Sequence, residues 1–222
     1  MKPVPQLVFR DLGGAVPYAE ALAEQMLLHA ARCRDEVADT VLLLEHRPVY
    51  TLGRSAETAH VLWDAARLRR EGIEVVEADR GGDVTYHGPG QLVAYPIVRL
   101  AERGMGVLDY VTALEEAAIL ATRALGLEGA GRDPRNRGVW VGGRKICAIG
   151  IRVSRGVTRH GLALNVNTRL ADFAGIVPCG LADAGVTSLA EELGRPIDMA
   201  LARAALRDAL SSALKRRRKS SR

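Results

Sequence analysis

Val139-Trp140-Val141-Gly142-Gly143-Arg144-Lys145-Ile146-Cys147-Ala148-Ile149-Gly150-Ile151-Arg152-Val153-Ser154-Arg155-Gly156, followed by His160-Gly161-Leu162-Ala163-Leu164-Asn165-Val166, is the stretch that decides the fold class. Three β-rich runs are separated by Gly142-Gly143 and by Ser154-Arg155-Gly156, which are turn formers. They predict three consecutive strands joined by tight turns, the pattern of an antiparallel meander. Further strands are predicted at Val41–Glu45, Val49–Gly53, Ile73–Ala78 and Gln91–Val98, with Pro96 marking an edge position or the end of its strand. Helical periodicity predicts helices over Pro17–Asp39, Ala59–Arg70, Val107–Leu125 and Asp198–Leu214. Strands and helices do not alternate regularly. The expected class is therefore α+β, a mixed, largely antiparallel sheet packed with helices.

The 222 residues suffice for one sizeable core, and the expected organisation is a single domain over 1–214 with a basic tail, 215–222. No apolar run approaches the roughly 20 residues that cross a bilayer, and Met1–Gln6 lacks an apolar signal core. The expectation is a cytoplasmic protein with no membrane partner. The formal charge is +5, of which the last eight residues carry +6. Such a terminal run reads as a solvated tail, with nucleic-acid binding the lesser reading. Residues 130–160 hold eight Arg or Lys against one Asp, an excess of +7 that suits an acidic partner.

Lys145 stands in that window as the one lysine between Lys2 and Lys215, a stretch with 23 arginines. Arg keeps its proton at accessible pH and Lys can release it, so a retained Lys suggests proton chemistry. An ammonium beside Ile146, Ile149 and Ile151 needs a counter-charge or a lowered pKa.

The three cysteines, Cys33, Cys147 and Cys179, have no CxxC spacing, so neither a disulfide framework nor structural zinc is expected. Cys33 and Cys147 read as packing residues. Cys179 lies between Pro178 and Gly180, in a loop setting suited to a nucleophile. Histidines His46, His87 and His160 lack HxxxH or HExxH spacing, which argues against metal. A Cys179–His87 or Cys179–His160 hydrolase is a rival, its His oriented by a carboxylate or amide. The segment Arg80-Gly81-Gly82-Asp83-Val84-Thr85-Tyr86-His87-Gly88-Pro89-Gly90-Gln91 is rich in glycine and hydrogen-bonding side chains, and reads as a ligand loop. It is neither GxGxxG nor GxxxxGK[ST], so no dinucleotide or triphosphate cradle is expected.

Arg80–Gln91, Arg144-Lys145-Ile146-Cys147-Ala148-Ile149-Gly150, His160–Val166 and Pro178-Cys179-Gly180, in this order, resemble the octanoyl-(acyl-carrier-protein):protein octanoyltransferases, also called lipoate–protein ligase B. Glu45-His46-Arg47-Pro48-Val49-Tyr50-Thr51-Leu52-Gly53 is similar to the family's early strand pair. The resemblance implies a fold like the catalytic domain of biotin and lipoate ligases and a catalytic dyad of Cys179 and Lys145. It implies an acyl pocket lined by Arg80, Gly81, Gly82, Asp83, Val84, Thr85, Tyr86 and His87, by Ala148, Ile149 and Gly150, and by Gly161, Leu162 and Ala163. It further implies an octanoyl-acyl carrier protein as donor. The implied acceptors are lipoyl domains of 2-oxoacid dehydrogenase complexes and the glycine cleavage H protein. No cofactor and no metal are implied. Backbone amides near the glycines, or the side chains of Thr85 and His87, are candidate donors to a tetrahedral oxyanion. ATP-dependent lipoate and biotin ligases share the implied fold and a comparable lysine without needing a cysteine, so Pro178-Cys179-Gly180 is the discriminating feature.

Overall fold

A computed structural model describes residues 6–134, 136–177 and 185–215. In chain order the elements are β1 (Val8–Asp11), α1 (Tyr18–Cys33), β2 (Thr40–Leu44), β3 (Val49–Leu52), α2 (Ala65–Glu71), β4 (Glu74–Glu77), β5 (Val84–His87), β6 (Gln91–Ile97) and α3 (Val107–Ala124). They continue with β7 (Gly131–Asp133), β8 (Asn136–Val141), β9 (Arg144–Ser154), β10 (Val157–Asn165), α4 (Leu189–Leu193) and α5 (Met199–Ala213). Seven strands form one sheet in the order β1-β2-β6-β10-β9-β8-β7, and β4-β3-β5 form a second. Among the strands of the described residues, β1–β2 and β3–β4 are the parallel pairs. The fold is α+β with a mostly antiparallel sheet.

Strand alternation distributes the large sheet between two helical layers. In β2, Val41 and Leu43 face the cluster that contains Leu114, Leu206 and Leu210 of α3 and α5, while Leu42 and Leu44 face Ala21 and Leu28 of α1. The aromatic cluster of Tyr50, Trp63, Tyr86 and Phe173 supports the small sheet. Leu189 and Ile197 join the α3–α5 cluster.

The predicted meander is β8–β9–β10, with Cys147 facing Leu164 and Ala148 facing Ala163. Three sequence expectations change. The helix expected from Ala59 is a 3-10 turn at Thr58–His60, and α2 starts only at Ala65. Between them Val61 bridges Ile176, and the Asp64 carboxylate caps α2 by accepting from Arg67 N–H. The glycine-rich segment contains a strand, β5, within what read as loop. Pro96 is not at an edge: it sits one residue before the end of a central strand, between β2 and β10. Its carbonyl points toward β10, accepting from the Thr158 hydroxyl, so its missing N–H falls on the same side. The β6–β10 ladder has stopped by then, at Ala94–Leu162, and His160 has a positive φ of 55°. A Cβ on Gly161 would lie 2.2 Å from the Ala94 carbonyl oxygen and 2.7 Å from Pro96 Cδ, so only glycine fits this close approach.

Candidate active site

The large sheet, the loop before β5 and the start of α1 enclose a cavity of about 310 Å³. Its floor is the β9–β10 ladder, where Ala148 faces Ala163 and Gly150 faces Gly161. Its roof is the segment from Arg80 to Thr85. A Cβ on Gly150 would reach within 2.9 Å of the Gly81 carbonyl oxygen, so this glycine lets the roof descend onto the floor.

Every predicted pocket residue but one lines this cavity: Arg80, Gly81, Gly82, Asp83, Val84, Thr85 and His87, then Ala148, Ile149 and Gly150, then Gly161, Leu162 and Ala163. Tyr86 does not. Alternation along β5 turns it into the aromatic cluster, where its hydroxyl donates to Asp172 Oδ2 at 2.6 Å. Lys145 also lines the cavity and is 7% exposed. Its Nζ lies 4.7 Å from the centre of the Trp140 ring, a cation–π contact. Cys179 lies outside the described residues. The chain leaves them at Val177, whose N–H donates to the His60 carbonyl, and re-enters at Gly185, whose carbonyl accepts from Lys145 N–H at 2.9 Å. Val186 then bridges Lys145 in parallel.

Arg80 is buried as a strut. Its guanidinium donates to Thr51 Oγ1 at 2.7 Å and to the Asp83 carbonyl at 2.8 Å, fixing the roof to β3. Cys147 is fully buried and its thiol is pushed up to about 12 by that burial, which makes it an inert packing group. Cys33 sits with its sulfur 3.8 Å from both ring nitrogens of His29, away from the cavity lining.

His87 is oriented by a chain of amides that fixes its tautomer. Asn165 Nδ2 donates to the Thr187 carbonyl, so Asn165 Oδ1 accepts from Gln91 Nε2, which also donates to the Tyr86 carbonyl. Gln91 Oε1 is therefore the acceptor of the 2.7 Å bond to His87, and His87 Nδ1 carries the proton. Burial first, then neighbouring His46 and Arg80, hold the His87 pKa well below its usual value. The neutral ring offers Nε2 as a lone pair. His87 thus accepts hydrogen bonds in the cavity, and the expectation that it could donate to an oxyanion is corrected; Thr85 keeps that capability.

Sequence reasoning passed over Tyr18, Tyr95, Ser55, Asn136 and Arg137 as lining residues, and placed His160 in the family-like motif and the rival hydrolase but not in the pocket. His160 Nε2 lies 2.7 Å from Asp79 Oδ1. Burial lowers the His160 pKa, with Asp79 opposing. Tyr18 opens α1 beside Pro17, and nothing in that local pattern distinguishes a cavity wall from a core tyrosine. Among the described residues no three His, Cys, Asp or Glu side chains converge to hold a metal, and no helix is long and apolar enough to cross a membrane.

The family model of the lipoyl protein ligase A/B catalytic domain matches residues 17–211. A Rubrobacter xylanophilus protein named octanoyltransferase is 53% identical over 193 residues, covering 86% of each chain. Among solved structures, lipoate-protein ligase A bound with ATP superposes with a TM-score of 0.71 at 16% identity, covering 97% of this chain and 88% of the other. Biotin protein ligase from Aquifex aeolicus in complex with biotin and ATP gives 0.57 at 16% identity, covering 93% of this chain and 70% of the other.

Proposed function

The chain belongs to the lipoyl protein ligase A/B catalytic-domain family, and on that premise we propose that it is an octanoyltransferase that passes an octanoyl group from an octanoyl-acyl carrier protein to a lysine of lipoyl domains. The acceptors are the lipoyl domains of 2-oxoacid dehydrogenase complexes and the glycine cleavage H protein. The observation that carries this reading is the buried Lys145 on the wall of a cavity floored by Ala148, Gly150, Gly161 and Ala163. Small floor residues leave room for an alkyl chain. Its burial contributes roughly 5–6 kcal/mol before entropy costs, at about 0.8 kcal/mol per CH₂.

The mechanism is a ping-pong transfer on Cys179. The Lys145 ammonium stabilises the Cys179 thiolate, which attacks the thioester carbon and expels the carrier thiolate. Lys145 gives its proton to that departing thiolate. The product is octanoyl-Cys179, a thioester made from a thioester, so no nucleotide activation is required. The neutral acceptor amine then attacks the same carbon, the C–S bond breaks, and the proton lost by nitrogen returns to the dyad. Thr85 and backbone amides of the roof are the donors proposed for the tetrahedral oxyanion. An ATP-dependent ligase shares the fold, but the octanoyltransferase name of close relatives and Cys179 between Pro178 and Gly180 favour transfer without ATP.

Intact-mass analysis after incubation with octanoyl carrier protein tests the nucleophile. A single octanoyl adduct is expected on the native chain and none on Cys179→Ala. An adduct that persists in Cys179→Ala would reassign the nucleophile, and a strict ATP requirement for transfer would point to the ligase.

A further inference from the structure

The roof of the cavity descends in one direction, away from Lys145. Lys145 shares a recess with Thr85, Ala148 and Ala163, which marks the dyad end. Gly150 lies two residues beyond Ala148 along β9, about 7 Å at roughly 3.3 Å per residue. There roof and floor meet. Gly81 N–H donates to the Ile151 carbonyl at 2.8 Å. A Cβ on Gly150 would stand 3.0 Å from Arg80 Cδ, so the Arg80 stem rests on the floor itself. An octanoyl chain that starts beside Lys145 therefore passes Thr85 first and meets Arg80, Gly81 and Gly82 with its distal carbons. A butanoyl chain stops short of them.

Thr51 puts Arg80 in that place. It is fully buried in β3, opposite Thr85 in the β3–β5 ladder, and does not itself line the cavity. Its hydroxyl oxygen accepts from Arg80 Nε at 3.1 Å and from Nη2 at 2.7 Å, and its carbonyl accepts from Nη2. Arg80 Nη1 donates to the Asp83 carbonyl at 2.8 Å and to the Gly81 carbonyl at 3.2 Å. A guanidinium is a rigid planar fork, so two acceptors on one residue orient its whole plane. Gly53 makes room for this, since a Cβ there would fall 2.6 Å from Arg80 Nη1. The roof backbone has its own anchors: Arg54 and Ser55 N–H donate to the Arg80 and Gly82 carbonyls at 3.0 and 3.2 Å. Removing the Thr51 hydroxyl thus frees the Arg80 side chain without releasing the roof backbone.

We propose that Thr51 is a positioning residue for acyl-chain recognition: its hydroxyl holds Arg80 over the floor glycine and so shapes the part of the cavity that only the distal carbons of the chain reach. On the octanoyl-transfer reading, on which this rests, chain recognition extends to a residue outside the lining. The dyad end, where the acyl carbonyl reacts, does not depend on Thr51. A residue that served only the stability of β3 would affect short and long chains alike.

Transfer from butanoyl and octanoyl carrier thioesters, measured on the full chain and on Thr51→Val and Thr51→Ser, tests the assignment. Enzyme is kept in excess over donor so that a slow butanoyl reaction is still read. Thr51→Val keeps the shape and removes the acceptor, whereas Thr51→Ser keeps the acceptor. In Thr51→Val, kcat/KM for octanoyl should fall at least about tenfold, because a buried guanidinium loses a hydrogen-bond partner. For butanoyl it should change by less than about threefold. Thr51→Ser should stay within about threefold of native for both chains, and Cys179 should alkylate with iodoacetamide at the native rate in both variants. An equal loss for the two chains, no loss for octanoyl, slowed alkylation, or a Thr51→Ser as impaired as Thr51→Val would each overturn the assignment. A native protein that transfers neither chain would instead overturn the octanoyl-transfer reading. If Thr51→Val does not fold, Thr51→Ala, which removes the same acceptor, makes the comparison.

Discussion

Lys145 is held by packing as well as by charge. Its aliphatic stem passes Gly138, where a Cβ would sit 3.5 Å from Lys145 Cε, and its ammonium lies over Trp140. Lys145→Arg keeps the positive charge and the stacking partner but removes a proton that can be given up. General acid–base contributions run at about 10²–10⁴, so kcat is expected to fall at least about a hundredfold. Cys179 should still alkylate with iodoacetamide at a rate near that of the native protein, because the charge that favours thiolate remains. A kcat within about threefold of native would remove Lys145 from proton transfer. A second residue-scale expectation concerns His46. Its Nδ1 lies 3.0 Å from the Val16 carbonyl and its Nε2 lies beside the Tyr95 hydroxyl. Burial lowers its pKa to about 4. The unfolded chain titrates His near 6.5, so between about 6.5 and about 4 the unfolded state binds the extra proton. His46 therefore contributes stability that is fully present above 6.5 and lost as pH falls toward 4, on the order of 3 kcal/mol. Thermal unfolding across that window should show Tm falling with pH, and His46→Asn should flatten the slope whatever it does to Tm at neutral pH. An unchanged slope would mean that the imidazole titrates freely.

At the scale of elements, the 3-10 turn Leu170–Gly175 precedes Val177, the last described residue before Cys179. Several contacts moor it: Tyr86 donates to Asp172 Oδ2, Tyr50 donates to the Asp172 carbonyl, Arg169 pairs with Asp172 Oδ1 at 2.6 Å, and Leu62 N–H donates to the Gly175 carbonyl at 2.8 Å. Burial and the bond to Asp172 drive the Tyr86 pKa upward, so the hydroxyl stays a donor at all working pH. Tyr86→Phe removes one hydrogen bond to a charged group, worth about 1.5–3 kcal/mol. Hydrogen exchange should then quicken in Leu170–Gly175 while α3 keeps its protection; unchanged exchange in the turn would show that the remaining contacts suffice. Tyr86 also marks where the sequence stops being legible. The motif that places it in the ligand segment is real, yet the period-2 alternation of β5 sends Thr85 to the cavity and Tyr86 to the aromatic core, and a strand of four residues inside a glycine-rich run gives little period to read. The β8–β10 meander was legible because its turns carry glycine, Gly142-Gly143 and Arg155-Gly156, and its runs are long. β1 and β7 were not, since Val8–Asp11 is mostly exposed and Gly131–Asp133 is three residues with no apolar member. For Pro96 the end-of-strand alternative holds and the edge alternative does not: it stands one residue before the end of β6, past the point where pairing with β10 stops, and a sequence does not show that the strand is central.

At the scale of the whole molecule, linear sequence exaggerates the basic surface. Of the eight cations between 130 and 160, Arg132 pairs with Glu115 and Glu116, and Arg144 pairs with Glu192 at 2.8 Å. Arg159 pairs with Asp79 at 2.5 Å, with Arg152 within 4.0 Å of the same carboxylate. These four acids lie outside the window in sequence and beside it in space, and counting them lowers the local excess from +7 to +3. The fold thus spends much of the window's charge on holding α3 to β7, and α4 and the loop before β5 to the meander. Acyl carrier proteins are acidic, so the remaining excess still favours encounter with the proposed donor, through surface charges that salt screens within about 8–10 Å. kcat/KM for octanoyl carrier protein should fall by about 3- to 10-fold from low to high ionic strength, a modest slope set by the smaller local charge. The same enzyme assayed with an uncharged octanoyl thioester should show no comparable fall, which separates screening of the encounter from any effect of salt on the dyad. Equal salt dependence for the two donors would place the effect in the cavity, and a salt-independent rate with the carrier would show that the meander's arginines serve the fold alone.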